Sequence, residues 1–532
     1  MADQTARSIA PISDAEATAA AQPRWVDRLD PTIVNALTIV GFSLPIVGYF
    51  WLIAHYGVNV PYQDGWSDMT MLHQCYSHLF SCGTLWTQHN ENRILFPNLV
   101  VVFLAHTTHF NVKGEEFLSG FMLVAATFLL IHAHKRRSPN IPWLYYCPVV
   151  ILACSIVQYA ATLWGFQLAW YFVLLALACV VVLLDRNQLS AAAVALAIAA
   201  GVIGSFSSLQ GLIVWPVGLA LIFYRRRSRG IVVAWIAASC ITTAIYFYHL
   251  NIRAGAALPS SLTHHSISPI LFAIFAIGDV LGVPVYPGGG GNLGILLLGL
   301  VILVFAVVAL VLCGLKPDKA SASPVGAALI LFGFLFSIVV AIGRHGLGYW
   351  GASSSGYTIY DVWIPIGVYM ILLERIPQTT RAPTRSTGKP QERVRDSVAR
   401  NRYRFALWVV LVFFALQLII GAENGLDGAR RIHASEIRTV VTAQNIDRAS
   451  NVQILDNLSF YQPVSVTRMQ VRIAETLHLT LFAASRRSER TQMVQGRNQS
   501  IPGMDPSVTS PGFAMAQRFG DSQFQVGSGR AR

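Results

Sequence analysis

The stretch NLGILLLGLVILVFAVVALVLCG, residues 292–314, decides the fold class. It contains no charged residue, and it exceeds the roughly 20 apolar residues that a helix needs to cross the hydrocarbon core of a bilayer. Backbone N–H and C=O groups find no water in lipid, so a helix is the structure that satisfies them within the segment. The stretch therefore predicts a transmembrane helix.

Similar apolar runs recur along the chain. They occupy residues 33–55, 94–111, 116–134, 142–163, 166–184, 190–206, 209–224, 231–250, 269–285, 324–343, 358–373 and 405–422. Of the 532 residues, 54% are hydrophobic and only 12% are charged, whereas soluble proteins carry about 25% charged residues. We therefore predict an all-α, polytopic transmembrane helical bundle of about 11–13 spans.

The net charge of +13 comes from basic residues in short loops and one long linker. They lie in KRRS (135–138), RRRSRG (225–230), KPDK (316–319) and the linker 374–404. Such loops typically face the cytoplasm, and no aromatic-interleaved basic face, zinc finger or phosphate loop favours nucleic acid. The rule places a leader (1–32) and the linker in the cytoplasm. Loops 161–167, 205–211 and 344–357 then lie outside, with the first loop (57–93) and a C-terminal tail (423–532).

Two apolar runs conflict with this topology. If the first loop lies outside and KRRS lies inside, the chain must cross the membrane an odd number of times between them. The sequence has two apolar runs there, 94–111 and 116–134. The same conflict arises between residues 252 and 315. We predict that one run of each pair is re-entrant or interfacial, and 94–111 and 269–285 are the candidates because each contains a proline and polar residues.

The first loop gathers most of the polar chemistry near the start of the chain. Asp64 and Asp68 lie early in it, four residues apart. Apolar residues recur at helical spacing over 66–80, which predicts a helix on the membrane surface with its other face in water. Either aspartate is a catalytic candidate, because carboxylates near lipid are costly; the alternative is that it caps this helix.

Histidines and cysteines of the same loop are weaker candidates. His73, His78 and His89 match no metal-binding spacing, so no cofactor is predicted and a divalent-cation requirement stays open. Cys75 and Cys82 would form a disulfide only if the helix ended near residue 81, because seven helical residues span about 10 Å.

Arginines at two positions suit an anionic ligand. Glu91 and Arg93 lie where the loop leaves for the next apolar run, and Arg344 ends another run close to Tyr349 and Tyr357. Guanidinium groups match phosphate geometry. The alternative is that these arginines only anchor the chain at the interface.

These residues together resemble the first periplasmic loop of GT-C glycosyltransferases, polytopic enzymes that take sugars from polyprenyl-phosphate carriers. The matching residues are Asp64, Gly83, His89, Arg93 and Phe96-Pro97. Further stretches look like an uncharacterised bacterial subgroup of such proteins. They are WGFQ (164–167), SSLQGLIVWPVGL (207–219), GRHGLGYWGASSSGY (343–357) and FYQPVSVTRMQVRIAETLHLTLF (460–482).

The resemblance implies a multi-pass enzyme of the bacterial inner membrane with a cytoplasmic N-terminus. It implies inverting transfer of a sugar from a polyprenyl-phosphate donor to a glycan or lipid acceptor of the envelope, on the outer face. Asp64 would be the general base, and Asp68 stands where the family's second acid is expected, since Gly65 follows Asp64. The implied substrate-binding residues are His89, Glu91, Arg93, Arg344, Tyr349 and Tyr357.

Two other functions stay open. A transporter or flippase of lipid-linked saccharides would use the same phosphate contacts, and it would depend on acids within spans such as Asp279 and Asp361. Asp361 has the further alternative of pairing with Arg344. No internal repeat is evident, although transporters often have one. The third reading is a catalytically silent scaffold in envelope assembly.

Overall fold

The computed structural model describes residues 30–77, 81–251, 267–285, 290–314, 323–380, 390–459 and 462–483. About 80% of the structure is helical with almost no strands, which confirms the all-α class. Most of the predicted leader, part of the linker 374–404, the KPDK loop and tail residues 484–532 lie outside the described residues.

The helices follow one another closely along the chain. The first part contains α1 (Pro31–Tyr56), α2 (Asp68–Tyr76), α3 (Cys82–Leu85), strands β1 (Gln88–His89) and β2 (Asn92–Arg93), α4 (Leu95–Thr108) and α5 (Val112–Arg137). The middle contains α6 (Cys147–Ala153), α7 (Tyr159–Thr162), α8 (Leu168–Leu184), α9 (Ala191–Ser205), α10 (Val214–Tyr224), α11 (Arg229–Phe247) and α12 (Pro269–Gly278). The last part contains α13 (Leu293–Gly314), α14 (Val325–Arg344), α15 (Gly348–Ala352), α16 (Thr358–Asp361), α17 (Trp363–Thr380), α18 (Pro390–Gln444), α19 (Asn451–Asn457) and α20 (Val464–Thr476).

Eight of the described helical segments are long and apolar enough to cross a membrane. They are Pro31–Tyr56, Val112–Arg137, Trp143–Thr162, Gly165–Leu184, Arg229–Phe247, Leu293–Gly314, Val325–Ala352 and Phe405–Gln444. This makes the chain a multi-pass membrane protein with fewer clear spans than predicted. The difference comes from length, because several predicted runs form helices of only 10–17 residues.

The bundle has two distinct ends. At the loop end, the first loop contacts loops 161–167, 205–211 and 344–357; for example, the indole N–H of Trp164 donates to Tyr62 O at 2.9 Å. At the arginine end, loops 135–138 and 225–230 meet at Asp185. Helix α8 joins the two ends, since it begins directly after Gln167 and ends directly before Asp185. The grouping of these loops follows the charge rule, while the side of the membrane that each end faces stays a prediction.

Helices α4 and α12 explain the two topological conflicts. Helix α4 begins after the first loop, and beyond its other end His109 O accepts a hydrogen bond from Thr480 N in the tail at 2.8 Å. Before α12, Ile267 N donates to His345 O at 3.3 Å, and after it the chain returns to Gly291, which packs against Tyr349. Both helices therefore start and finish at the loop end, as the parity argument predicted.

The apolar core fills the space between the long helices. Tyr171, Leu174 and Leu177 of α8 are fully buried within it. A second cluster of buried side chains joins the first loop and α4 to the tail, through residues such as Trp66, Leu72, Val471 and Ala474. Helix α18 continues through the predicted boundary at residue 423 and leads into this tail. The tail, up to residue 483, therefore packs on the loop end.

Candidate functional site

The segment that carries Asp64 is a short 3-10 helix anchored by a fully buried Trp66. Tyr62, just before it, accepts the hydrogen bond from Trp164. Gln63 has a φ of 48°, a left-handed conformation that a side-chain-bearing residue keeps only where its surroundings impose it. The backbone on both sides of Asp64 is therefore set by tertiary contacts.

Asp64 and His89 form a pair at the mouth of the site. Asp64 Oδ2 lies 3.3 Å from His89 Nε2, although the two atoms do not form a hydrogen bond. The Ser67 hydroxyl donates to Asp64 O at 2.7 Å and lies 3.3 Å from His89 Nδ1. The side chains of Asp64 and His89 are 16% and 15% exposed. The carboxylate is therefore accessible to solvent while its orientation is constrained.

Glu91 lies on the β1–β2 hairpin that also carries His89, and it forms an ion pair with Arg344. Arg344 Nη2 donates to Glu91 Oε1 at 2.7 Å, and Glu91 Oε2 is buried with no hydrogen-bond partner among the described residues. Glu91 follows His89 by two residues in the β1–β2 turn. Residues two apart have Cα atoms within about 7 Å of each other. The hairpin therefore places His89, which contacts Asp64, close to Glu91, which contacts Arg344. Asp64 and Arg344 themselves are remote in sequence.

The hairpin is fixed by residues on other loops. Asn92 Oδ1 accepts hydrogen bonds from Leu209 N at 2.9 Å and from Ser208 Oγ at 3.1 Å. Gln88 Oε1 accepts one from Asn251 N at 2.9 Å. These bonds attach both strands to the loop 205–211 and to the chain that follows α11. The geometry of the two pairs is therefore supported from outside the first loop.

Arg93 occupies the interior of this region. It is only 5% exposed and donates to Trp86 O at 2.9 Å and to Tyr248 O at 2.8 Å. Its guanidinium lies over the Trp86 ring, 5.2 Å from the centroid, and burial lowers its pKa. These contacts give Arg93 a structural role in holding the hairpin, and a phosphate contact for it stays a prediction.

A small pocket beside the first loop is lined by two carboxyl groups. Asp68 and Glu115 line it with Asn98 and Phe166; the remaining lining residues are Ile94, Pro97, Val101, Gly165, Leu168 and Ala169. Asp68 is 5% exposed and Glu115 is 2% exposed. Neither carboxyl has a hydrogen bond or ion pair within the described part of the chain.

Asp68 is the first residue of α2 and makes no capping hydrogen bond, so the capping alternative fails for it. Burial raises the pKa of Asp68 to about 7, an effect that nearby His89 opposes and Asp64 reinforces. A carboxyl group whose pKa lies near 7 can donate as well as accept a proton at neutral pH. The pocket therefore combines apolar side chains with a carboxyl group, Asp68, that can exchange a proton near neutral pH.

The two predicted tyrosines differ in their distance from the pairs. Tyr357 stacks on Trp170 with ring centroids 6.0 Å apart. Burial raises the pKa of Tyr357, an effect that Arg344 opposes and Glu91 reinforces, which places its hydroxyl near that ion pair. Tyr349 instead packs on Phe275, with ring centroids 4.9 Å apart. Of the two, Tyr357 is the one with electrostatic contact to the site.

The predicted surface helix exists in shorter form as α2 and is covered on more than one face. Met69 and Leu72 are fully buried, as its periodicity predicted, but Met71 is also buried. On the tail side, Gln470 Nε2 donates to Thr70 Oγ1 at 3.3 Å. Helix α2 therefore packs against α4 and the tail helix α20, while Thr70 on its polar face stays exposed.

The remaining polar residues of the loop form no metal centre in the described residues, where no group of three or more His, Cys, Asp or Glu side chains is suited to a metal ion. Cys75 is a free thiol. His78 and the Cys82 side chain lie outside the described residues. A divalent-cation requirement therefore stays open.

The two aspartates that the sequence predicts within spans have internal partners. Asp279 Oδ1 accepts a hydrogen bond from Val283 N at 3.0 Å, and Asp361 Oδ1 accepts one from Ser337 Oγ at 3.1 Å. Arg344 pairs with Glu91 rather than with Asp361, which corrects the pairing suggested by the sequence.

Several site residues were missed by sequence reasoning. Glu115 was not considered, although Glu115 and Glu116 are adjacent acids at the start of an apolar run and so were a visible signal. Ser67, Asn92 and Phe166 carried no such signal, since each acts through a contact with a residue distant in sequence or in a neighbouring turn.

Comparisons of the chain with protein-family models, with curated proteins and with solved structures found no match.

Proposed function

We propose that this protein is a membrane glycosyltransferase that moves a sugar from a polyprenyl-phosphate donor to a hydroxyl of an envelope glycan or lipid. The observation that carries the proposal is that one hairpin contacts both Asp64, through His89, and Arg344, through Glu91. Asp64 is partly exposed beside His89, and Arg344 pairs with the partly exposed Glu91. A general base and a phosphate-binding cation are the two groups that this reaction needs close together.

The chemistry follows from this placement. Asp64 accepts the proton of the acceptor hydroxyl, whose oxygen forms a bond to the anomeric carbon of the sugar. The bond from that carbon to the phosphate oxygen breaks, and its electron pair leaves with the polyprenyl phosphate. Arg344 releases Glu91 to bind this phosphate and stabilises its developing charge. Attack opposite the leaving group inverts the anomeric centre.

The pocket lined by Asp68 and Glu115 offers polar groups to a substrate hydroxyl. Its walls combine apolar side chains with Asp68, Glu115 and Asn98, and binding sites typically combine apolar walls with a few polar groups that fix orientation. A neutral carboxylic acid donates one hydrogen bond and accepts others, which matches a sugar hydroxyl. Phe166 supplies an apolar ring surface beside His89.

The same proposal assigns the loop end to the outer face of a bacterial inner membrane, with the N-terminus in the cytoplasm. The arginine clusters at the opposite end support this orientation, because basic loops are retained on the cytoplasmic side. The polyprenyl tail would then reach Arg344 from the outer half of the bilayer.

The test is sugar transfer by the purified full chain in proteoliposomes. Tritium-labelled polyprenyl-phosphate hexoses and pentoses are supplied with an envelope glycolipid extract, and product is separated from donor. We expect Asp64→Asn to lower the rate by about 10²–10⁴-fold, the usual contribution of a general base. Arg344→Gln should lower it by about 10²–10³-fold, as loss of a charge-stabilising donor does.

Asp447→Asn is the matched control, because Asp447 is 73% exposed in the tail and should keep the full rate. Thermal unfolding of each variant establishes that it is folded. Full transfer by Asp64→Asn would overturn the assignment of the base. No transfer from any donor, together with movement of lipid-linked saccharides that depends on Asp279 and Asp361, would replace the enzyme with a transporter.

A further inference from the structure

The arginine end holds several guanidinium groups around one carboxylate. Asp185 is fully buried directly after α8. Arg225 Nε donates to Asp185 Oδ1 at 2.7 Å, Arg137 Nη2 lies 3.3 Å from the same oxygen, and Arg136 Nη2 lies 3.9 Å from Oδ2. Within the described residues, the carboxylate of Asp185 therefore contacts three positive charges.

Backbone carbonyls at the end of α8 use further arginine donors without supplying charge. Arg136 Nη2 donates to Val182 O at 3.3 Å, and Arg227 Nη2 donates to Leu184 O at 3.1 Å. Carbonyls in the last turn of a helix attract cations through the helix dipole. These bonds fix the arginines in place, but they leave the net charge of the cluster unchanged.

Three more arginines surround this cluster at the surface. Arg186, Arg226 and Arg229 are exposed, and none has an ion-pair partner among the residues that the structure describes. Glu374, an acid that acts electrostatically on Tyr224, is already engaged with His134 and with Ser323 N. The positive charge at this surface therefore has no acidic side chain in the described chain to balance it.

Exposed apolar residues lie directly beside these charges. Phe223 is 59% exposed and Val233 is 65% exposed, on the segments that lead into and out of the loop 225–230. A surface with apolar side chains on one side and guanidinium groups on the other matches an amphiphile with an anionic headgroup. A free anion would contact only the guanidinium groups of this surface.

We propose that the arginine end binds the phosphate headgroup of an anionic phospholipid, with Arg186, Arg226 and Arg229 as the exposed contacts and the Asp185 cluster as their support. The guanidinium fork matches two phosphate oxygens, and the acyl chains lie along the apolar surface of Phe223 and Val233. The lipid phosphate would contact the exposed guanidinium groups as they are arranged in the folded chain, so binding stabilises the folded chain.

The test compares lipids by thermal unfolding of the full chain purified in a neutral detergent. Phosphatidylglycerol should raise the Tm in a concentration-dependent and salt-sensitive manner. Phosphatidylcholine at equal concentration should not, and neither should inorganic phosphate or glycerophosphoglycerol, which carry no acyl chains. Equal stabilisation by phosphatidylcholine would overturn headgroup recognition, and equal stabilisation by phosphate would make the site one for free anions.

A surface variant tests the residues without disturbing the buried cluster. The triple variant Arg186→Gln, Arg226→Gln, Arg229→Gln should weaken apparent phosphatidylglycerol binding by at least about tenfold, since each exposed charge contributes about 1 kcal/mol near an anionic lipid surface. Arg472→Gln, which changes an exposed arginine of the tail, should bind like the unchanged chain. Unaltered lipid binding by the triple variant would refute the assignment.

Discussion

The two ends of the bundle use charge in opposite ways. At the arginine end, Asp185 is fully buried and contacts several arginines, of which Arg136 also donates to the backbone oxygen of Asp185. At the loop end, Asp64 contacts a histidine and remains 16% exposed, while Asp68 and Glu115 line the pocket with no partner among the described residues. The first arrangement holds helices together, whereas the second leaves groups available for chemistry.

This difference separates structural from functional charge by physical criteria. A buried carboxylate surrounded by donors gains electrostatic energy only in the folded chain. A buried carboxyl without donors costs free energy, and proteins keep such groups mainly at functional sites. The comparison therefore predicts that substitutions at the two ends will have distinct signatures in stability and in activity.

The largest loss of stability is expected for Asp185→Asn. The substitution leaves Arg137 and Arg225 without their counter-charge in a buried position, and removal of one partner from such a group costs on the order of 3 kcal/mol. The measurement is chemical or thermal unfolding in detergent. Asp447→Asn, in an exposed pair with Arg472, should change stability by less than about 0.5 kcal/mol. An Asp185→Asn chain as stable as its parent would remove the structural half of the comparison.

A pH-dependent effect of similar size and opposite sign is expected for Asp68→Asn. The pKa of Asp68 rises from 3.8 to about 7 on folding, so between these values the folded chain binds more protons than the unfolded chain. Stability from this group is therefore present at low pH and lost as pH rises towards and through about 7.

Asp68→Asn removes this dependence. It should stabilise the protein at pH 8 by on the order of 2–4 kcal/mol and leave it unchanged at pH 4. The Tm of both chains across pH 4–8 is the measurement, with Asp447→Asn as the control that keeps the parent's profile. Parallel profiles for parent and Asp68→Asn would show that Asp68 is not held near neutrality by its surroundings.

The smallest change in stability is expected for the Glu91–Arg344 pair. Its side chains are 28% and 27% exposed, and partly exposed pairs contribute about 0.2–1 kcal/mol. A double-mutant cycle with Glu91→Gln and Arg344→Gln measures this coupling free energy. A coupling of about 3 kcal/mol or more would make the pair structural, like the one at Asp185, and would argue against its release to bind phosphate.

Much of the fold was accessible from local sequence patterns. Apolar runs such as 292–314 and 166–184 predicted helices that the structure confirms as α13 and α8. The count of crossings between charged loops predicted that 94–111 and 269–285 do not traverse the bundle. Helix α2 shows the limit of the method, because its periodicity located the helix but gave no information about the tail that covers it.

The candidate site shows the same difference between what local sequence predicts and what tertiary contacts decide. Sequence alone determined that this is a multi-pass helical membrane protein with polar residues concentrated in one early loop, because hydropathy and charge depend only on neighbouring residues. Tertiary structure decided which of those residues meet: Glu91 and Arg344 are 253 positions apart, and Glu115 reaches the cavity of Asp68 from the next long helix. Such contacts depend on how helices pack, and no periodicity within a single helix encodes that choice.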